Sequence, residues 1–134
     1  NVLPLKGTAF ISVKDSDKEK IYPKVKKLIK LGFKICATSG TARFLNSKGL
    51  KCKIINKVNQ GSPHIVEKLK NNSIDLVINT TEGAKSISDS FSLRRSTLVN
   101  KIPYFTTLAS ANGCVEAIES LKQNVLKVKA LQDI

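Results

Sequence analysis

Short runs of β-branched and apolar residues alternate along this chain with longer stretches in which apolar positions recur every three or four residues. That switching between a period of two and a period of 3.6 predicts βαβ units and a parallel sheet. Thr8 to Val13 (TAFISV) reads as the first strand. The stretch that follows, to about Leu31, places Ile21, Val25, Leu28 and Ile29 on one face and leaves Lys20, Lys24, Lys27 and Lys30 largely outside, so an amphipathic helix ended by Gly32 is expected. Pro23 must lie in the first turns of that helix or kink it, because it has no N–H to donate. Phe33 to Ala37 (FKICA) is the second strand, Thr41 to Ser47 a short helix closed at Gly49, and Lys51 to Ile55 (KCKII) the third strand.

Pro63 to Lys70 reads as a short helix, Ile74 to Ile78 (IDLVI) as the most apolar strand, and Ser86 to Val99 as a helix carrying Ile87, Phe91, Leu98 and Val99. Pro103 to Phe105 is a fifth short strand, Ser110 to Leu121 a helix, and Val125 to Leu131 (VLKVKAL) alternates like a final edge strand or tail. No change of composition, linker or internal repeat divides the chain. Residues 1–134 therefore read as one domain, with 1–6 as a linker from a preceding domain and 123–134 as the C-terminal edge strand or tail. Right-handed crossovers make a doubly wound, Rossmann-like α/β sheet of about five parallel strands, with helices on both faces, the natural architecture.

Length and composition narrow the picture. A chain of 134 residues buries roughly two thirds of its unfolded surface and stands without staples. No apolar run approaches the ~20 residues of a membrane-spanning helix, so no membrane partner is expected. The chain starts Asn1-Val2 and contains no Met, which reads as a piece of a longer polypeptide or as a chain trimmed at its start. Cys36, Cys52 and Cys114 are odd in number, sit among apolar neighbours and show no C-x-x-C spacing, the pattern of buried thiols in a reducing cytoplasm. The net charge of +13 raises the prospect of anionic partners. Yet 20 of the 23 basic residues are Lys, only Arg43, Arg94 and Arg95 are Arg, and ten Asn accompany them, as in a Lys/Asn-biased proteome. Arg forks and aromatics interleaved with Lys, the usual means of reading nucleic acid, are missing, so no specific nucleic-acid partner is expected.

In doubly wound sheets, ligands bind beyond the carboxyl ends of the strands. There the chain places small polar residues: Ser12 after strand one, Thr38-Ser39-Gly40-Thr41 after strand two, Asn56-Lys57 after strand three, Asn79-Thr80-Thr81 after strand four, and Thr106-Thr107 after strand five. Thr38 to Thr41 combine hydroxyls, a Gly that allows close backbone approach, and free N–H groups at a helix start, which together make an anion cradle. Lys18 and Lys57 would supply cationic partners to a phosphate, leaving the groups near Asn79 for a sugar or base. Any one such cluster is ordinarily a helix cap or turn. Convergence of five at one end of one sheet is what favours a ligand.

Catalytic residue types are sparse. His64, the only histidine, forms no nucleophile-and-base set with Ser62, Pro63 and Glu67 by spacing, and reads as a structural or helix-start residue. Asp15 and Asp17 read as helix-start carboxylates, and Arg94-Arg95 as a surface or interface pair. No catalytic or metal-binding residues are assigned. Gly83-Ala84-Lys85-Ser86 lacks the preceding Gly of a Walker loop, and no G-x-G-x-x-G is present.

Taken in order, G-T-A-F-I-S-V-K-D-S-D-K-E, A-T-S-G-T-A, I-I-N-K-V, I-N-T-T-E-G, L-R-R-S and Y-F-T-T closely resemble the carboxyl-terminal regulatory domain of carbamoyl phosphate synthase large subunits, from about Gly7 to Leu121. The resemblance implies the methylglyoxal synthase-like fold and an allosteric domain that binds nucleotide monophosphates, UMP inhibiting and IMP also bound, with ornithine activating at the boundary to a neighbouring domain. Carried over by motif, Lys18, Thr38, Thr41 and Lys57 hold phosphate and ribose with Ser12, Ser39 and Gly40 beside them. Asn79, Thr80 and Thr81 face the nucleoside, and Thr106 lies toward the ornithine site and domain interface. The resemblance further implies no cofactor in this domain, and a parent ligase that uses ATP with Mg or Mn. Its partners would be the remaining synthetase domains, a glutaminase small subunit and a possible second copy.

Two relatives of similar fold compete. Methylglyoxal synthase proper, a lyase of dihydroxyacetone phosphate, carries a Gly-Gly-Asp segment after strand three, where this chain reads Asn59-Gln60-Gly61-Ser62-Pro63-His64. The cyclohydrolase domain of purine synthesis shares the S-G-T-A-like turn, but its extended Lys- and His-containing segment is not seen here.

Overall fold

The computed structural model describes residues 3–81 and 83–132, with residues 83–89 described by their backbone alone. In chain order the elements are β1 (Gly7–Ser12), α1 (Lys18–Lys30), β2 (Phe33–Ala37), α2 (Ser39–Ser47), β3 (Cys52–Ile54), α3 (Ile65–Lys70), β4 (Leu76–Asn79), α4 (Gly83–Val99), β5 (Tyr104–Phe105) and α5 (Leu108–Gln132). Short 3-10 turns precede α1 at Asp15–Asp17 and follow β3 at Val58–Gln60. The five strands pair in parallel in the order β3-β2-β1-β4-β5, the doubly wound arrangement expected of the sequence.

The period-two alternation of the strands divides the core between the two faces of the sheet. Ala9 and Ile11 of β1, Phe33, Ile35 and Ala37 of β2, and Leu76 and Ile78 of β4 face α1, α2 and α5. Phe10, Cys36 and Val77, the intervening positions, face α3 and α4. On α1 the buried residues are Ile21, Val25 and Leu28, the stripe predicted by helical spacing. Pro23 is exposed in the second turn of α1, where its missing donor costs one backbone bond near the helix start.

Two expectations are corrected. Val125 to Leu131 forms the last turns of α5, not an edge strand. Lys122-Gln123-Asn124 contains neither Gly nor Pro, so nothing in the chain stops the helix that began at Leu108, and local continuation outweighs a weak alternation. On α4, Phe91, Leu98 and Val99 point outward and stay exposed, while Leu93 and Thr97 are buried. The helix turns its Leu93 stripe to the sheet, and its bulkier apolar positions fall on the roughly opposite face. Ile87 lies among the residues whose side chains are not described.

Candidate functional site

The connections from β1 and β4 leave toward opposite edges of the sheet, so the carboxyl ends of these neighbouring strands form the topological switch point, where a crevice opens by geometry alone. A cavity of about 470 Å³ occupies it. The structure brings all the sequence-predicted site residues to its lining except Thr106, which is exposed beyond β5 and outside it.

The side formed by β1, β4 and α2 is knitted across strands. Ser12 Oγ and Thr38 Oγ1 lie 3.1 Å apart and share a hydrogen bond. Thr41 Oγ1 accepts the Val13 N–H at 3.2 Å and donates to the Val13 carbonyl at 3.4 Å. Thr80 Oγ1 accepts the Lys14 N–H at 3.0 Å, and the Thr80 N–H donates to the Ser12 carbonyl at 3.0 Å. Asn79 donates through Nδ2 to Ser90 Oγ at 3.0 Å and to Tyr104 Oη at 2.9 Å, which holds its amide in one orientation.

These bonds have a consequence for α2. Thr38 stands at the N-cap but makes no capping bond with its side chain, which is engaged by Ser12. The first bond of the helix runs from the Ala42 N–H to the Thr38 carbonyl at 2.8 Å. Among the described residues, no side chain caps the N–H groups of Ser39, Gly40 and Thr41, which lie at the positive end of the helix dipole in residues that line the cavity. Lys18 adds a charge there: a Cβ placed on Gly40 would stand 3.4 Å from Lys18 Nζ, so the ammonium lies directly over the helix start. Lys18 is paired with the exposed Asp15, whose carboxyl is held below its ordinary range by the hydrogen bond and charge of that ammonium. Asp15 is thus an ion-pair partner, and neither it nor Asp17 makes a side-chain capping bond.

Lys57 and Val58 enter the lining from the loop after β3. Phe10, Ile65 and Leu93 give the cavity an apolar floor. The arrangement can hold an anion at one end, between dipole and ammonium groups, and a flat, partly apolar body beside Asn79 and Thr81 at the other. Sequence reasoning missed Phe10, Ser90 and Leu93. Phe10 sits inside a strand and carries no signal, whereas Ser90, Leu93 and Thr97 recur at helical spacing and were legible as one face of α4.

Other expected residues lie elsewhere. His64 is at the start of α3, with its N–H donating to Glu67 Oε1 at 3.0 Å and its Nε2 3.3 Å from the same oxygen; it is not part of the cavity lining. Arg94 and Arg95 are exposed on α4. All three cysteines are buried and unpaired, with burial pushing the Cys36 thiol up to about 12 and those of Cys52 and Cys114 up to about 11, so they stay protonated. Among the described residues no group of His, Cys, Asp and Glu is placed to hold a metal ion, and no helix is long and apolar enough to cross a membrane.

A doubly wound parallel sheet with a polar-lined crevice at its switch point defines the class. The chain belongs to the MGS-like domain family, whose model matches residues 20–106. Within the curated proteins it is 52% identical over 131 residues to the carbamoyl phosphate synthase large chain of Mesorhizobium japonicum, and 51% identical over 130 residues to that of Rhizobium meliloti. These alignments cover 98% and 97% of this chain but 11% of each relative's length. Against the carbamoyl phosphate synthase large chain, C-terminal section, of Methanopyrus kandleri it is 47% identical over 133 residues, 24% of that protein. Among solved structures, methylglyoxal synthase from Elizabethkingia anophelis superposes with a TM-score of 0.69 at 20% identity, covering 84% of this chain and 79% of that one. ForH superposes with a TM-score of 0.64 at 16% identity, covering 95% and 93%. Both likenesses establish the methylglyoxal synthase-like fold.

Proposed function

We propose that this chain is the regulatory domain of a carbamoyl phosphate synthase large chain, binding a nucleoside monophosphate such as UMP or IMP as an effector and carrying out no chemistry of its own. The observation that carries the reading is the uncapped start of α2: Ser39, Gly40 and Thr41, at the helix N-terminus, line the same cavity as Lys18 and Lys57. Dipole, amides and two ammonium groups fit a phosphate. The apolar floor of Phe10, Ile65 and Leu93, with Asn79, Thr80 and Thr81 at its edge, fits a nucleoside. Identity near 50% with carbamoyl phosphate synthase large chains, over almost the whole chain, supports the parent. In that setting we assign Thr106, exposed beyond β5, to the boundary with the synthetase domains, where ornithine would act.

Calorimetric titration with UMP and IMP, using uridine and inorganic phosphate as controls, tests the reading. Saturable binding that needs both phosphate and nucleoside is expected, weakened about tenfold by Lys57→Ala, the scale of one charge-assisted hydrogen bond. Uridine binding as tightly as UMP would sink the phosphate assignment. Release of phosphate from dihydroxyacetone phosphate would replace the sensor with a lyase.

A further inference from the structure

The loop that brings Lys57 to the cavity is not anchored like the rest of the lining. Its two ends meet, with Asn56 and His64 forming a parallel bridge and the Ile65 N–H donating to the Asn56 carbonyl at 3.0 Å. Residues 57–63 between them are exposed. Most of their hydrogen bonds are internal: the Lys57 N–H donates to Gln60 Oε1 at 2.7 Å, and the Gln60 N–H returns to the Lys57 carbonyl at 3.0 Å. Among the described residues, the bonds that leave this segment reach only Asn56 at its base and Glu67 on α3. Glu67 Oε2 accepts the Ser62 hydroxyl at 2.9 Å, while Oε1 accepts the His64 N–H at 3.0 Å. One carboxylate thus grips the returning arm of the loop and the first turn of α3 together.

From this geometry we infer that Glu67 is a positioning residue for anion binding: through Ser62 it holds the 57–63 loop closed, so that Lys57 is presented to the cavity. The reasoning is entropic. A lysine on a loop that samples many conformations gives up that freedom when it meets an anion, whereas a loop already held loses little. The carboxylate is well suited to the task, because the Ser62 hydroxyl and the His64 N–H hold Glu67 below the ordinary carboxylate range and keep it a charged acceptor for both bonds. Lys18 needs no loop tether, because it stands in the first turn of α1 and is ion-paired with Asp15. The inference rests on Lys57 contacting the ligand's anionic group, as proposed above.

The test is a double-mutant cycle on binding, with inorganic phosphate, pyrophosphate and UMP as probes and thermal unfolding measured on every variant. Ser62→Ala is the cleanest change, since it removes the Ser62–Glu67 bond and leaves the His64 N–H bonded to Glu67 and the Gly61 carbonyl bonded to Asn56. It should weaken binding of the phosphate-bearing probes about threefold to tenfold, with little change in unfolding midpoint, and Glu67→Ala should do at least as much. In a Lys57→Ala background neither substitution should weaken binding further, because the residue they position is gone. Full additivity, or loss of stability with unchanged affinity, would overturn the inference and leave Glu67 as a helix-start residue only. Glu67→Asp, with its shorter reach, should restore part of the affinity. If Lys57→Ala alone leaves affinity unchanged, the site reading fails first, an outcome distinct from failure of the tether.

Discussion

The two walls of the cavity are built by different means. The wall of β1, β4 and the start of α2 is held by bonds between elements, with Thr41 clasping Val13 and Thr80 holding Lys14, in positions that are buried or close to it. The loop of residues 57–63, which contributes Lys57 and Val58 to the lining, is exposed and bonded chiefly to itself, with Asn56 and Glu67 as its outside supports. The first wall offers backbone amides whose place is set by the same packing that holds the sheet, so disturbing it disturbs the fold. The second offers a side chain whose place is set by surface polar contacts, so it can lose its function while the fold survives. The candidate site assembled from both has a rigid half and an adjustable half.

The contrast can be broken most forcefully at Thr41. Thr41→Val keeps the shape of the side chain but leaves the N–H of Val13, itself 6% exposed, without its acceptor. A loss of ~1 to 3 kcal/mol is expected in urea unfolding. Unchanged stability would mean that this wall is not held by the clasp.

An effect confined to alkaline pH, on the strand that leads into Thr38, comes from Cys36. Its folded value of about 12 lies above the 9.0 of an unburied thiol, so the folded chain retains a proton that the unfolded chain releases. Stability is therefore undiminished below about pH 9 and falls as pH rises from there toward 12, by at most ~1.4 kcal/mol per pH unit for this group. Cys36→Ala should flatten the alkaline slope relative to the wild type, whatever its effect at neutral pH; equal slopes would dispose of the buried-thiol account.

The smallest effect belongs to the adjustable wall. Glu67 has a folded value below its ordinary 4.5, so its contribution to stability is complete above that pH and is lost as pH falls through the lower folded value. Wild type and Glu67→Gln should differ slightly in unfolding midpoint at neutral pH and converge in acid. A difference that widens in acid would contradict the assigned direction.

Much of this molecule was legible before its structure. The run Phe33 to Ala37 reads as a strand because β-branched and aromatic residues alternate between two helical stretches, and β2 has those bounds. Ile21, Val25 and Leu28 read as a buried stripe because helical spacing leaves them one face, and α1 buries them. The candidate site was legible for a related reason: in a parallel sheet every strand ends at the same edge, so the small polar residues after β1, β2 and β4 gather there, while Thr106 after the edge strand β5 stays outside. Where reading failed, the local signal was weak and a neighbour decided. Val125 to Leu131 alternates like a strand, but it follows an unbroken helix and joins it. Phe91, Leu98 and Val99 look like core residues, yet the face of α4 that reaches the sheet is the one bearing Leu93 and Thr97.

The sequence by itself determined the order of elements, the parallel sheet and the edge at which polar groups gather, because these follow from periodicity and from the handedness of the chain. Only the tertiary structure decided that Thr38 bonds Ser12 and leaves the start of α2 uncapped, that Lys18 lies over Gly40, and that Glu67 grips the loop carrying Lys57. Each of these depends on which of several acceptors a hydroxyl or an ammonium meets. That choice is made by distances between elements far apart in the chain, to which neither periodicity nor composition is sensitive.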